Sequence, residues 1–141
     1  MTKDTPAPMI PQVANTDAWQ MLLDDDSAVL IDVRTETEWR SIGVPDTSQV
    51  GRPARFIAWN DEQGIRNPYF VDQATDGLDP DTPILLLCRS GARSNAAAEL
   101  LTASGFTNAM NIVNGFEGPP GPDGRHSGGW KDSLPHTTYD G

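Results

Sequence analysis

The chain has 141 residues, a formal net charge of −10 and one cysteine. That length suits a single domain with one sizeable core, and the acidity argues against nucleic acid or an anionic membrane as partner, since both are bound through basic surface. No apolar run approaches the roughly 20 residues that span a bilayer, and a lone thiol, unable to form an internal disulfide, suits a reducing compartment, so the cytoplasm is the expected location.

Met1 to Pro8 sets Lys3 and Asp4 among small residues and prolines, without the apolar centre of a secretory signal. Residues 1–9 are expected to form a flexible tail. Met9 to Val13 suits a short edge strand, where Pro11 is tolerated. Asn15, Thr16 and Asp17 offer capping side chains to a helix in which Ala18, Met21 and Leu22 share a face. Asp24-Asp25-Asp26 ends that helix as a solvated turn. Ala28 to Val33 is β-branched and apolar except for Asp32, the pattern of a buried strand. Thr35, with Glu38 at the third helical position, forms a capping-box pattern that predicts one or two helical turns over Glu36 to Arg40. Ile42-Gly43-Val44-Pro45-Asp46 then breaks the helix.

Arg52 to Trp59 suits a strand or an extended approach to one, with Arg52 and Arg55 facing solvent. Asn60 to Pro68 is dense in turn formers and leads into a helix with Asn67 as N-cap and Pro68 at its first position, continued by Tyr69, Phe70 and Val71. Gly77 to Asp81 turns the chain into Pro83-Ile84-Leu85-Leu86-Leu87, whose four consecutive aliphatic residues fit a strand buried on both faces of a parallel sheet. A polar loop with a central glycine joins this strand to Asn95-Ala96-Ala97-Ala98-Glu99-Leu100-Leu101, a run of strong helix formers, with Gly105 as C-cap. Asn108 to Val113 forms the last strand, closed by Asn114-Gly115, and residues 117–129 are too rich in proline and glycine for regular structure. Strands alternating with helices predict an α/β fold: a central parallel sheet of about five strands, flanked by helices, with right-handed crossovers. One domain is expected over residues 10–137, with 138–141 as a C-terminal tail.

A lone cysteine after an apolar strand is most often a buried, inert side chain. Cys88, however, stands at a strand's carboxyl end, where parallel sheets place their ligands between strand ends and helix amino termini. The backbone N–H groups of the loop and the positive end of the following helix are expected to stabilise a thiolate there, as are neighbouring arginines. Cys88 then acts as a nucleophile without a general base, and no histidine is near it in sequence. The same N–H groups, over Arg89, Ser90, Gly91, Ala92, Arg93 and Ser94, suit an oxyanion bound above the sulfur. Arg89 and Arg93 are candidates to attract an anionic substrate, with bracing of backbone carbonyls as the structural alternative. Trp59, Tyr69 and Phe70 are read as core packing, with the lining of an acceptor pocket as the alternative. His126 and His136 lie in a region without paired-ligand spacing, so they are expected at the surface and no metal is expected.

Cys88-Arg89-Ser90-Gly91-Ala92-Arg93-Ser94, Leu30-Ile31-Asp32-Val33-Arg34 followed by Glu38-Trp39, and Asn114-Gly115-Phe116-Glu117-Gly118 with Gly129-Trp130-Lys131 and Leu134-Pro135 together resemble the rhodanese, or sulfurtransferase, homology domain in its bacterial single-domain form. The first stretch looks like the family's active-site loop, the second its early strand-and-helix signature, the third its closing segment. Many members carry glycine-histidine-isoleucine-proline-glycine where this chain has Ile42-Gly43-Val44-Pro45-Asp46, a departure confined to that turn.

The resemblance implies a ping-pong sulfurtransferase that needs no cofactor. Cys88 takes a sulfane sulfur from a small anionic donor such as thiosulfate, becomes a persulfide, and passes the sulfur to cyanide or a thiol. The acceptor extends to a protein if the domain is instead a persulfide carrier for a dedicated partner. Cysteine phosphatases and arsenate reductases are the enzymatic rival, and loop length discriminates: those phosphatases resemble a pattern with five residues between cysteine and arginine, whereas Cys88 and Arg93 enclose four.

Overall fold

The apolar runs of the sequence become the strands of one parallel sheet. In the computed structural model, which describes residues 9–141, the elements in chain order are β1 (Gln12–Val13), α1 (Asn15–Asp24), β2 (Val29–Asp32), α2 (Glu36–Ile42), β3 (Val44–Pro45), β4 (Arg55–Phe56), α3 (Phe70–Ala74), β5 (Ile84–Leu87), α4 (Ala92–Ala103), β6 (Ala109–Ile112), α5 (Trp130–Ser133) and β7 (His136–Thr137). The expected amino-terminal tail lies outside the described residues except for Met9. No described helix is long and apolar enough to cross a membrane.

Five strands in the order β1-β6-β5-β2-β4 pair in parallel throughout. The most apolar strand, β5, holds the middle. Alternation sends Leu85 and Leu87 to one face, with Leu30, Met110, Ile112 and Trp130. Ile84 and Leu86 go to the other, with Ile31, Ala97, Ala98 and Leu101. Full burial of each such aliphatic side chain contributes about 1.5–3 kcal/mol, which is why a four-residue strand suffices as the centre of the fold. Both edges are two-residue strands, too short to template pairing with another chain.

The helix ends divide into those set locally and those set by tertiary contacts. The Thr35–Glu38 capping box forms as expected, and α4 ends in paired bonds from Phe106 N–H to the Leu101 carbonyl (3.0 Å) and from Gly105 N–H to that of Thr102 (3.1 Å). Helix α1 departs from expectation. Its N-cap is Ala14, with no side-chain cap, and Asn15 is buried in the first turn. Pairing of β1 with β6 runs to Val13, so the helix starts at once, ahead of the capping side chains. Helix α3 starts late, at Phe70. Asn67 is held against the β4 end by its N–H on the Trp59 carbonyl (3.0 Å) and its Nδ2 on that of Ala58 (3.1 Å), and its Oδ1 accepts the Tyr69 N–H (3.0 Å) in a turn before the helix.

Arg52 and Arg55, expected in solvent, are half-buried and bound to backbone carbonyls. Arg52 Nη2 donates to Leu22 (3.0 Å), Asp25 (2.9 Å) and Ala28 (3.1 Å), closing the carboxyl end of α1 where carbonyls lack helical partners. Arg55 Nη1 donates to Ala74 (3.1 Å) and Asp76 (2.8 Å) beyond α3. The turn after α2 also holds structure of its own, since β3 pairs antiparallel with β7. Tyr139, within the expected C-terminal tail, packs between Trp39 and Phe56 at centroid distances of 5.4 and 5.3 Å. His136 is exposed in β7, whereas His126 is half-buried with Nδ1 against the Gly118 carbonyl.

Candidate active site

Strands β2 and β5 end side by side, with Val33 N–H donating to the Leu87 carbonyl at 2.8 Å. Cys88 follows at once, 1% exposed, its side chain in the cluster beneath α4. Helix α4 begins earlier than its helix-former run suggests, at Ala92, so Arg93 and Ser94 belong to its first turn. The Gly91 N–H donates to Cys88 Sγ at 3.1 Å, and the Ser94 hydroxyl lies 3.1 Å from the same sulfur. This places the sulfur at the positive end of a helix, beside an inward-pointing amide. Ser90 is half-buried and Ala92 exposed at the rim.

Two glycines make this approach possible. Gly91 has φ 108°, and a Cβ there would collide with the Val113 carbonyl oxygen. Gly115 has φ 71°, and its Cβ would come within 2.5 Å of the Arg89 carbonyl carbon. The segment that starts with Gly115 clamps the loop from outside: Phe116 N–H donates to the Cys88 carbonyl (2.7 Å), and Glu117 and Gly118 N–H groups donate to that of Arg89 (3.0 and 3.2 Å). Those carbonyls are thereby turned to the clamp, which leaves amide hydrogen to face the sulfur.

Both arginines of the loop meet carboxylates rather than backbone carbonyls. Arg93 forks onto Glu38 of α2, Nη1 to Oε1 at 2.6 Å and Nη2 to Oε2 at 2.9 Å, with side chains 25% and 22% exposed. Burial works against ionisation of Glu38, but the hydrogen bonds and charge of Arg93 outweigh it and hold the carboxyl below its ordinary value. The same hydrogen bonds push the Arg93 guanidinium up. Arg89 sits more openly, 48% exposed, its Nε 3.1 Å from Glu117 Oε2. Beside them, Arg34 is wholly buried on Asp32, Nη2 to Oδ2 at 2.7 Å, and also donates to the Gly43 carbonyl at 2.9 Å beneath the Phe116 ring.

Sequence reasoning missed three partners of the loop: Glu38, Glu117 and Asn111. The last left a signal, a lone amide in an apolar strand, and it is buried with its Oδ1 2.6 Å from Ser94 Oγ. Trp59 and Phe70 are core residues in edge-to-face contact at 5.1 Å, while Tyr69 is 65% exposed and belongs to neither the core nor a closed pocket. An open groove of about 650 Å³, lined by Val44, Arg52, Phe56 and Tyr139 among others, lies on the β3 side and includes none of residues 88–94.

The sequence profile of the STR4 middle domain matches residues 11–138. The chain belongs to the STR4 middle-domain family. Among its relatives, an uncharacterised protein of Rickettsia conorii is 34% identical over 127 residues, covering 89% of this chain and 96% of the relative. Rhodanese-like domain-containing protein 4 of Arabidopsis thaliana, a chloroplast protein, is 32% identical over 106 residues, 74% of this chain but 22% of that protein. The crystal structure of Rv0390 from M. tuberculosis superposes with a TM-score of 0.85 at 38% identity, covering 94% of this chain and all of that one. The fold of the chain is rhodanese-like.

Proposed function

We propose that the protein is a sulfurtransferase that moves a sulfane sulfur through a persulfide on Cys88. The observation that carries the reading is the setting of the only thiol: Sγ at the amino end of α4, 3.1 Å from the Gly91 N–H, in a loop with four residues between Cys88 and Arg93. In the first step the Cys88 thiolate attacks the outer sulfur of thiosulfate. A new S–S bond forms, the donor's S–S bond breaks, and sulfite leaves with the electron pair. In the second step cyanide or a thiolate attacks the outer sulfur of the persulfide, the S–S bond breaks, and the Cys88 thiolate returns. Gly91 N–H and the helix end hold the negative charge in both steps, and Arg89, the more open of the two arginines, attracts the anionic donor.

The test is intact mass. Protein incubated with thiosulfate gains the mass of one sulfur atom and releases thiocyanate on addition of cyanide, and Cys88→Ser does neither while keeping its fold. No mass gain with any sulfane donor refutes the reading, and turnover of an aryl phosphate in its place indicates the phosphatase chemistry.

A further inference from the structure

The Ser94 hydroxyl has two close partners and one hydrogen. Its Oγ lies 2.6 Å from Asn111 Oδ1 and 3.1 Å from Cys88 Sγ. Which contact receives the hydrogen is decided on β6. Asn111 Nδ2 donates to the Gly91 carbonyl at 3.2 Å, an oxygen that can only accept, and to Gln12 Oε1 at 2.8 Å. Gln12 is oriented in turn, since its Nε2 donates to the Ile10 carbonyl at 3.1 Å and to Asn95 Oδ1 at 2.7 Å. With its nitrogen held at Gly91, the Asn111 amide presents its oxygen to Ser94, and an amide oxygen has no hydrogen to give. The Ser94 hydrogen therefore goes to Asn111, and what Ser94 turns toward the sulfur is a lone pair.

We propose that Asn111 is a positioning residue which, by taking the Ser94 hydrogen, holds Cys88 as the donor of an S–H···O bond in the resting protein. A lone pair facing the sulfur favours S–H, whereas the Gly91 N–H on the same atom favours negative charge. For Ser94 to stabilise a thiolate its hydroxyl must swing from Asn111 to the sulfur, leaving the buried Asn111 oxygen unpaired. The charged groups of the surrounding elements are held in pairs: Arg93 with Glu38 of α2, Arg89 with Glu117 beyond β6, and Arg34 with Asp32 at the end of β2. The amino end of α4 and the Gly91 N–H favour thiolate, and the direction of the Ser94 hydroxyl works against them. A resting thiol is protected from stray electrophiles until a donor occupies the loop.

The inference rests on Cys88 being the reacting thiol, and its test needs no sulfur transfer. One cysteine gives one S–H stretching band in the infrared. In the native protein that band lies at the low wavenumber of a donating S–H, and in Ser94→Ala it moves up. An unmoved band overturns the proposal. Ultraviolet titration of thiolate absorbance, with Cys88→Ser as blank, reads the role of Asn111. Asn111→Ala frees the hydroxyl to donate to sulfur and moves the pH midpoint down, and the same change in a Ser94→Ala background leaves the midpoint in place. A midpoint that rises, stays, or falls equally in both backgrounds also overturns it. If Asn111→Ala does not fold, the infrared band of Ser94→Ala decides alone.

Discussion

Strands β2 and β5 are neighbours that end together, yet an arginine and a carboxylate are used differently just beyond each. Past β2, Arg34 turns back onto Asp32 two residues away, and both side chains are fully enclosed. Past β5, Arg93 reaches Glu38 across 55 residues of chain, and the pair remains partly open to water. The groups are the same and burial separates them. A buried pair is a fixed brace, because a charge that loses its partner there has no solvent to replace it. A half-open pair holds its geometry at little cost and can still meet an incoming anion.

The comparison is broken most severely at Asp32. Asp32→Asn leaves the Arg34 charge uncompensated and is expected to cost about 3–5 kcal/mol, seen as a large fall in the urea midpoint. Glu38→Gln is expected to cost about 1 kcal/mol, and less in high salt. The two also part in their pH dependence. Because the Glu38 carboxyl is held below its ordinary value of 4.5, its contribution is present above that value and lost as pH falls through the folded one. The stability of Glu38→Gln is therefore flatter below pH 4.5 than that of the native chain. Arg89→Ala leaves the nearly buried Glu117 carboxylate without its partner and is expected to cost about 1 kcal/mol, while sulfur loading from thiosulfate slows and loses much of its salt dependence. Glu36→Gln, which breaks the exposed pair with Arg40 one helical turn away, is expected to leave the urea midpoint unchanged.

Much of the fold was legible because its signals are local. Four aliphatic residues in a row marked β5, and Thr35 with Glu38 marked the start of α2 from three residues of spacing. What escaped was set by contacts across the chain. β3 and β7 are two-residue strands that pair over some ninety positions, too short for any periodicity to show. Arg52 and Arg55 look like solvated cations until the carbonyls at the ends of α1 and α3 come to meet them. In the site, Cys88 and its glycine loop were readable as strand end and helix start. Asn111 showed only as a lone amide in an apolar strand, since its value depends on the alternation that puts it on the same sheet face as Cys88, under the first turn of α4.

The clamp on the carbonyls of Cys88 and Arg89 also fixes an order of events as the chain is made. β5 and the cysteine leave the ribosome well before residues 115–118, and until Phe116, Glu117 and Gly118 arrive nothing ties those two carbonyls. The amides that clamp those carbonyls are synthesised after the thiol. A growing chain therefore carries Cys88 before its clamp, and the candidate site is complete only when the segment after β6 closes over the loop.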